Sequence, residues 1–350
     1  MYVTPAPTRK DDPYYALRLG LAGSLAYLAV AILAPALPPL IAALPIGLIA
    51  AQRKGFNAGK ALAGPIAMIV MVYVMSTLIA FLRPMPGVYI IVMWLTYFTG
   101  YYMILKTGAQ AGMLIIVVAV LMSVMGMHGN VILMSMRDGF VQASLVTLVI
   151  IPIVFFIFPP KTKEMHVDEP VPTNRNVTLN ACIRATVLSG LSFYIYTVME
   201  PSDMMLAVIA AMVIVFPTRY AMLYEAKQRV MATCFGCVAA TACLFIFSIT
   251  PHLVVILLLI FLMGIYFGTR MLDSQRPSMV YQYAFSVALA LIAGSLSSQD
   301  ASYAIYTRLL LTLAGALVAA LTVALCDWLL AIYIEHRVET PPSVSKHEQT

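Results

Sequence analysis

The chain has 350 residues, 62% of them hydrophobic and 10% charged, with a mean hydropathy of +0.92, which excludes a water-soluble globule and leaves no room for a soluble catalytic domain. Lipid-exposed backbone must pair its own N–H and C=O groups, and the long unbroken apolar runs select helices over the short alternating strands of a barrel. The net charge of +6 is informative through the placement of Lys and Arg rather than through its total.

In chain order, apolar runs predict helices over 16–34, 37–51, 62–82, 88–105, 109–126 and 138–158. After the polar stretch KTKEMHVDEPVPTNRNV, a second set is predicted over 180–199, 203–217, 230–249, 252–268, 280–297 and 306–334. At about 20 residues per span, the fold class is all-α: a polytopic bundle of about twelve transmembrane helices. The domains are a tail over 1–15, a six-helix membrane repeat over 16–158, a linker over 159–179, a second six-helix repeat over 180–334 and a tail over 335–350. The first run has no A-x-A cleavage site and another apolar run follows at once, so it reads as a retained helix. With the N-terminus inside, all 21 Lys and Arg fall on the inner face except Arg83, Arg137 and Arg308. That bias is expected of an inner-membrane protein with both termini cytoplasmic.

The two sets correspond at a nearly constant offset: Arg18 with Arg184, IAAL at 41–44 with IAAM at 209–212, and YFTG at 97–100 with IYFG at 265–268. Lys106 and Arg137 fall opposite Arg270 and Arg308. A six-helix unit repeated in tandem keeps its orientation, so a pseudo-twofold axis along the membrane normal is expected, as in many transporters.

Where the ninth predicted helix opens, Arg229, Thr233 and Gly236 stand as R-x3-T-x2-G, and the spacing returns at Arg308, Thr312 and Gly315. The first half departs from it, with Gly59, Lys60 and Gly64 but no Thr in place. With this motif and organisation the chain resembles the fusaric-acid-resistance and aromatic-acid-exporter superfamily, in its short branch without cytoplasmic domains. The resemblance implies inner-membrane export of small aromatic or amphipathic acids, usually alongside a periplasmic membrane-fusion partner.

Among candidate site residues, Asp327 is the acid set deepest in an apolar segment. It precedes Glu335 by eight positions, about 12 Å along a helix, and so lies within a hydrocarbon layer about 30 Å thick. It shares a helix face with the small residues Ala324, Ala320 and Ala316, which suits close packing against protein. Protonation is the cheap way to neutralise such an acid, which makes Asp327 the candidate for proton coupling; a structural acid bonded to a neighbouring helix is the alternative.

Arg18, Arg184, Arg229 and Arg308 fall in the opening turns of predicted helices, where the helix dipole does not favour a cation. Snorkelling to headgroups explains the first three, and a bidentate fork for an anionic substrate is the competing reading. Arg137 beside Asp138, and Arg308 with Asp300 before it, are expected at the outer mouths of helices six and twelve as gate pairs or exit cations. Tyr97, Phe98, Tyr101 and Tyr102 form an aromatic cluster, either an interfacial belt or, for Tyr97 and Tyr101, a surface for an aromatic substrate. Pro45 is a candidate break in the second helix, a feature that marks binding sites in other transporters.

Met122, Met125, Met127 and His128 are soft ligands with irregular spacing and are assigned to packing, as are Cys234 and Cys237. No metal or other cofactor is expected. No G-x4-G-K-[ST], H-E-x2-H or G-x-S-x-G run is present, so ATP hydrolysis and hydrolase chemistry have no support. The basic inner loops, TRYAMLYEAKQRV among them, are expected against anionic lipid rather than nucleic acid. The expected activity is proton-driven export, with self-association into a homo-oligomer left open. The competing reading is a non-transporting subunit that anchors an envelope complex.

Overall fold

The computed structural model describes residues 12–35, 38–50, 56, 58–107, 110–161, 177–198, 219–273 and 278–297. The regular elements among them are all helices: α1 (Tyr15–Leu33), α2 (Pro38–Ala50), α3 (Ala58–Leu82), α4 (Pro86–Thr107), α5 (Gln110–His128), α6 (Asn130–Ile157), α7 (Val177–Val198), α8 (Arg219–Ile249), α9 (Leu253–Asp273) and α10 (Ser278–Ser297). Within α1, α3, α4, α6, α8 and α9 lie six stretches long and apolar enough to cross a membrane, and α2, α5 and α10 hold shorter apolar ones. The protein is a multi-pass helical membrane protein. The predicted helices over 203–217 and 306–334 lie outside the described residues.

Proline opens α2 at Pro38 and α4 at Pro86, the helix position where a missing N–H costs nothing. Two helix starts and one expected break differ from those read in the sequence. Helix α6 starts at Asn130 rather than near 138, because NVILMSM is a sound apolar helix former and Arg137 and Asp138 neutralise each other within the helix. Helix α8 starts at Arg219 rather than near 230, so most of the presumed surface loop is helical; it is rich in the strong helix formers Ala, Met, Leu, Glu, Lys, Gln and Arg and holds no Gly or Pro after Pro217. The break expected at Pro45 is absent, and α2 runs through that proline without interruption.

Buried side chains form two clusters joined by α6. The N-terminal half of α6 (Leu133, Met136, Phe140) packs with α3, α4, α5 and α7. Its C-terminal half (Ala143, Ile150, Val154) packs with α1, α2, α8, α9 and α10. The opposite faces stay apolar and exposed at helical spacing, with Ile66, Val70 and Tyr73 on α3, Leu145, Val149 and Phe156 on α6, and Val254, Leu258 and Leu262 on α9. These are the expected lipid-facing stripes.

The tightest crossing joins α1 to α9. A methyl group at Gly20 would lie 2.7 Å from the Phe261 carbonyl oxygen, one at Gly264 would run into the backbone of Gly20, and one at Gly268 would lie 2.7 Å from the Ala16 Cα. Ser24 Oγ also donates to the Leu257 carbonyl across this contact at 3.0 Å. Small residues and such hydrogen bonds are what hold helices together where lipid removes the hydrophobic drive.

Arg18, expected to snorkel, is 1% exposed. Its Nη2 donates to the carboxylate of Asp12, its Nη1 donates to the Phe158 carbonyl at 3.2 Å, and its guanidinium lies 4.9 Å from the Phe155 ring centroid. Together these contacts tie the start of α1 to the end of α6. Among the described residues Asp12 is the only buried acid.

Two stability predictions follow from this packing. Gly264→Ala is expected to lower the thermal stability of the detergent-solubilised protein by about 1–3 kcal/mol, whereas Gly190→Ala, with no atom within 4 Å of the added methyl, leaves it unchanged or slightly raised. Asp12→Ala is expected to cost roughly 3–5 kcal/mol by stranding a buried guanidinium, and Arg18→Met added to it to recover most of that loss. Melting curves of the four variants measure both effects; equal curves for the two glycine variants would contradict the first.

Candidate functional site

Buried residues recur along α4 at Tyr89, Met93, Tyr97 and Tyr101, one per turn, so that a single stripe faces the bundle over about 18 Å. The aromatic cluster read in the sequence therefore divides between two faces. Tyr97 and Tyr101 are 2% and 0% exposed. Phe98 instead stacks between Trp94 and Tyr102, with ring centroids 5.6 and 6.0 Å apart, and Tyr102 carries Lys106 on its hydroxyl at 3.1 Å.

The inward stripe meets α5 and α7. There Tyr89, Tyr97, Ser123, Ser189 and Ser192 supply hydroxyl groups, and Met93, Met127 and Phe193 apolar walls, to a cavity of about 20 Å³. Ser123 Oγ donates to the Val120 carbonyl at 3.1 Å, which leaves the Tyr97 hydroxyl to donate to Ser123 Oγ at 2.7 Å. The Tyr89 hydroxyl donates to the Ser123 carbonyl at 3.0 Å. From α7, Ser192 donates to the Leu188 carbonyl at 2.7 Å and lies within hydrogen-bonding reach of Tyr97.

Two buried hydroxyls in this seam, those of Ser189 and Tyr101, have no hydrogen-bond partner among the described residues. Leaving a buried hydroxyl unpaired costs about 1–3 kcal/mol. A cavity of this volume admits about one water molecule, far below the roughly 300 Å³ or more of a ligand pocket.

One turn beyond Tyr97, the Tyr101 hydroxyl lies within electrostatic reach of Arg184 on α7. Arg184 is 4% exposed, which corrects its reading as a headgroup-seeking cation. It shares an α7 face with Leu188 and Ser192, at successive turns. Arg184 thus lies on the α7 face that carries Ser192 of the cavity wall, about two turns away.

Other sequence candidates lie apart from it. Pro45 is buried on α2, among neighbours Ile41 and Ile46 that belong to the second cluster, and α2 contributes nothing to the cavity wall. Arg137 and Asp138 form an ion pair within one helix at 2.8 Å, their side chains 28% and 55% exposed. Helix α6 begins two turns earlier, so the pair is not at its mouth, and its cross-helix contact is the Tyr73 ring of α3 at 5.6 Å from Arg137. Thr233 is buried, and Gly236 lets α10 approach α8, since a methyl there would lie 2.7 Å from the Ala284 carbonyl oxygen. The Arg229 side chain and all of Asp327, Arg308, Thr312 and Gly315 lie outside the described residues.

The sequence reading passed over Tyr89, Ser123, Ser189 and Ser192. Their signal was present as a tyrosine eight positions before Tyr97, a serine pair at i and i+3, and one hydroxyl in the run LMSVMG.

No curated protein and no solved structure matches the chain. Residues 191–322, less than half of the chain, match a family model described as fusaric acid resistance protein-like. The matched stretch contains Ser192 and Phe193 of the cavity wall and both Arg-Thr-Gly runs, and it identifies the chain as similar to that membrane-transport family.

Proposed function

We propose that the chain is a secondary transporter of the bacterial inner membrane that exports small aromatic or amphipathic organic acids, driven by the proton gradient. The observation that carries this reading is the small hydroxyl-lined cavity between α4, α5 and α7, whose wall includes the buried hydroxyl of Ser189 with no partner among the described residues. Membrane interiors tolerate such groups where they line a substrate path. Substrate enters when α4 and α7 separate, while the glycine contact holds α1 and α9 together as the fixed side of the bundle.

The tandem-repeat reading draws support from the packing. Exchanging α1 with α7, α3 with α8, α4 with α9 and α5 with α10 turns the α1–α9 contact into α4–α7, α3–α5 into α8–α10, and α4–α5 into α9–α10, and each of these contacts is made. In this reading the described helices are joined by two more, over 203–217 and 306–334, both termini are cytoplasmic, and the Arg18–Asp12 pair lies at the inner face. Asp327 carries the proton, Arg308 faces the outer exit, with the Arg137–Asp138 pair of α6 two turns inside the helix start on the same side, and a periplasmic membrane-fusion protein receives the product.

Uptake of labelled hydroxybenzoate into inverted membrane vesicles with an imposed proton gradient tests the proposal. Gradient-dependent uptake above that of empty membranes is expected, abolished by Asp327→Asn and strongly reduced by Ser189→Leu, which fills the cavity, at equal expression. Uptake equal to that of empty membranes would contradict it.

A further inference from the structure

A buried hydroxyl has one proton to give and lone pairs with which to receive others. In the α4–α5–α7 cavity most of those protons are placed. Tyr97 donates to Ser123 Oγ, Ser123 to the Val120 carbonyl, Tyr89 to the Ser123 carbonyl and Ser192 to the Leu188 carbonyl. Ser189 differs: its hydroxyl is part of the cavity wall, is buried and has no partner among the described residues. It does not turn back to a carbonyl of its own helix, as Ser192 does.

The hydroxyl oxygens of Tyr97, Ser123 and Ser192 each keep a lone pair that none of these bonds uses. The wall is therefore short of donors for those oxygens and of an acceptor for the Ser189 proton. Among the described residues it holds no carboxylate to balance a cation and no guanidinium or ammonium to hold an anion. The occupant that fits is neutral, with two protons to give and a lone pair to receive one. A cavity of about 20 Å³ has room for a water molecule and for nothing larger.

We propose that this cavity is the seat of one bound water molecule, which accepts the Ser189 proton and donates to two of the hydroxyl oxygens of Tyr97, Ser123 and Ser192. Three hydrogen bonds are the usual complement of a buried water. The water links α7 to the helices across the seam through bonds nearly as favourable as direct ones. The site stands apart from the transport reading, since a bundle that carried nothing would hold the same water.

The test is hydroxyl-radical footprinting of the full chain in lipid nanodiscs. A brief X-ray pulse converts bound water into radicals that oxidise the side chains beside it, and mass spectrometry reads the oxidation residue by residue. Met93 in the cavity wall and Met75 outside it are both 4% exposed, so they differ in access to the cavity rather than to bulk solvent. Met93 is expected to oxidise several times faster than Met75. Ser189→Thr, which keeps the hydroxyl, is expected to preserve that difference. Ser189→Val, of the same shape without the hydroxyl, is expected to bring Met93 down to the rate of Met75.

Equal rates for Met93 and Met75 in the intact protein would overturn the water site. Fast oxidation of Met93 that survives Ser189→Val would overturn Ser189 as the donor, and so would a loss shared by both variants, since added bulk alone would then account for it. A variant in which Met75 also speeds up is unfolded. Ser189→Ala, smaller than the native residue, then takes its place with the outcome expected of Ser189→Val.

Discussion

In a lipid solvent two apolar helices gain nothing by hiding their side chains from each other, so the approach of α1 and α9 rests on the missing side chains of Gly20, Gly264 and Gly268. That contact joins a helix of the first set to one of the second. It lets Ser24 reach the Leu257 carbonyl and sets α1 where Arg18 meets Asp12 and the end of α6. Because α6 contributes to both buried clusters, the position of α1 is passed on to the helices around the cavity.

In the proposed tandem repeat the α1–α9 and α4–α7 contacts would occupy corresponding places, and they differ in content. The first is made of backbone close to backbone, with its nearby charge paired. The second holds hydroxyls and a cavity, and Trp94 Nε1 of α4 donates to Thr186 Oγ1 of α7 at 3.0 Å. Dense apolar packing resists separation, whereas a seam of hydroxyls exchanges its partners for those of a ligand or water at little cost. In the proposed transport cycle the first contact is the fixed one and the second the one that opens.

The positions of the described helices were legible in the sequence because hydrophobic runs of membrane length have few other outcomes. Tyr97 and Tyr101 were legible as a pair because their spacing places them one turn apart on one face. The fate of Arg18 was not, since its partners Asp12 and Phe158 sit in a presumed tail and at the end of another helix, and only the three-dimensional return of α6 brings them together. Arg137 and Asp138 suggested a helix boundary because two adjacent charges usually mark one, yet each removes the other's charge and the helix continues around them. Pro45 suggested a break for a similar reason: its effect depends on whether neighbouring helices enclose the residue, and here it is buried. The serines of the cavity were overlooked because a single hydroxyl in an apolar run has no pattern until three helices bring several together.

The claim that the α4–α7 seam opens while the α1–α9 contact stays closed is tested most directly by distances between spin labels. In a background lacking the five native cysteines, one pair would be placed at the exposed positions Val88 and Tyr194, on α4 and α7, and another at Ile32 and Val254, on α1 and α9. Addition of hydroxybenzoate in lipid nanodiscs is predicted to shift the α4–α7 distances to a longer, broader distribution and to leave the α1–α9 distances as they were. A shift confined to α1–α9, or equal shifts in both pairs, would contradict the account.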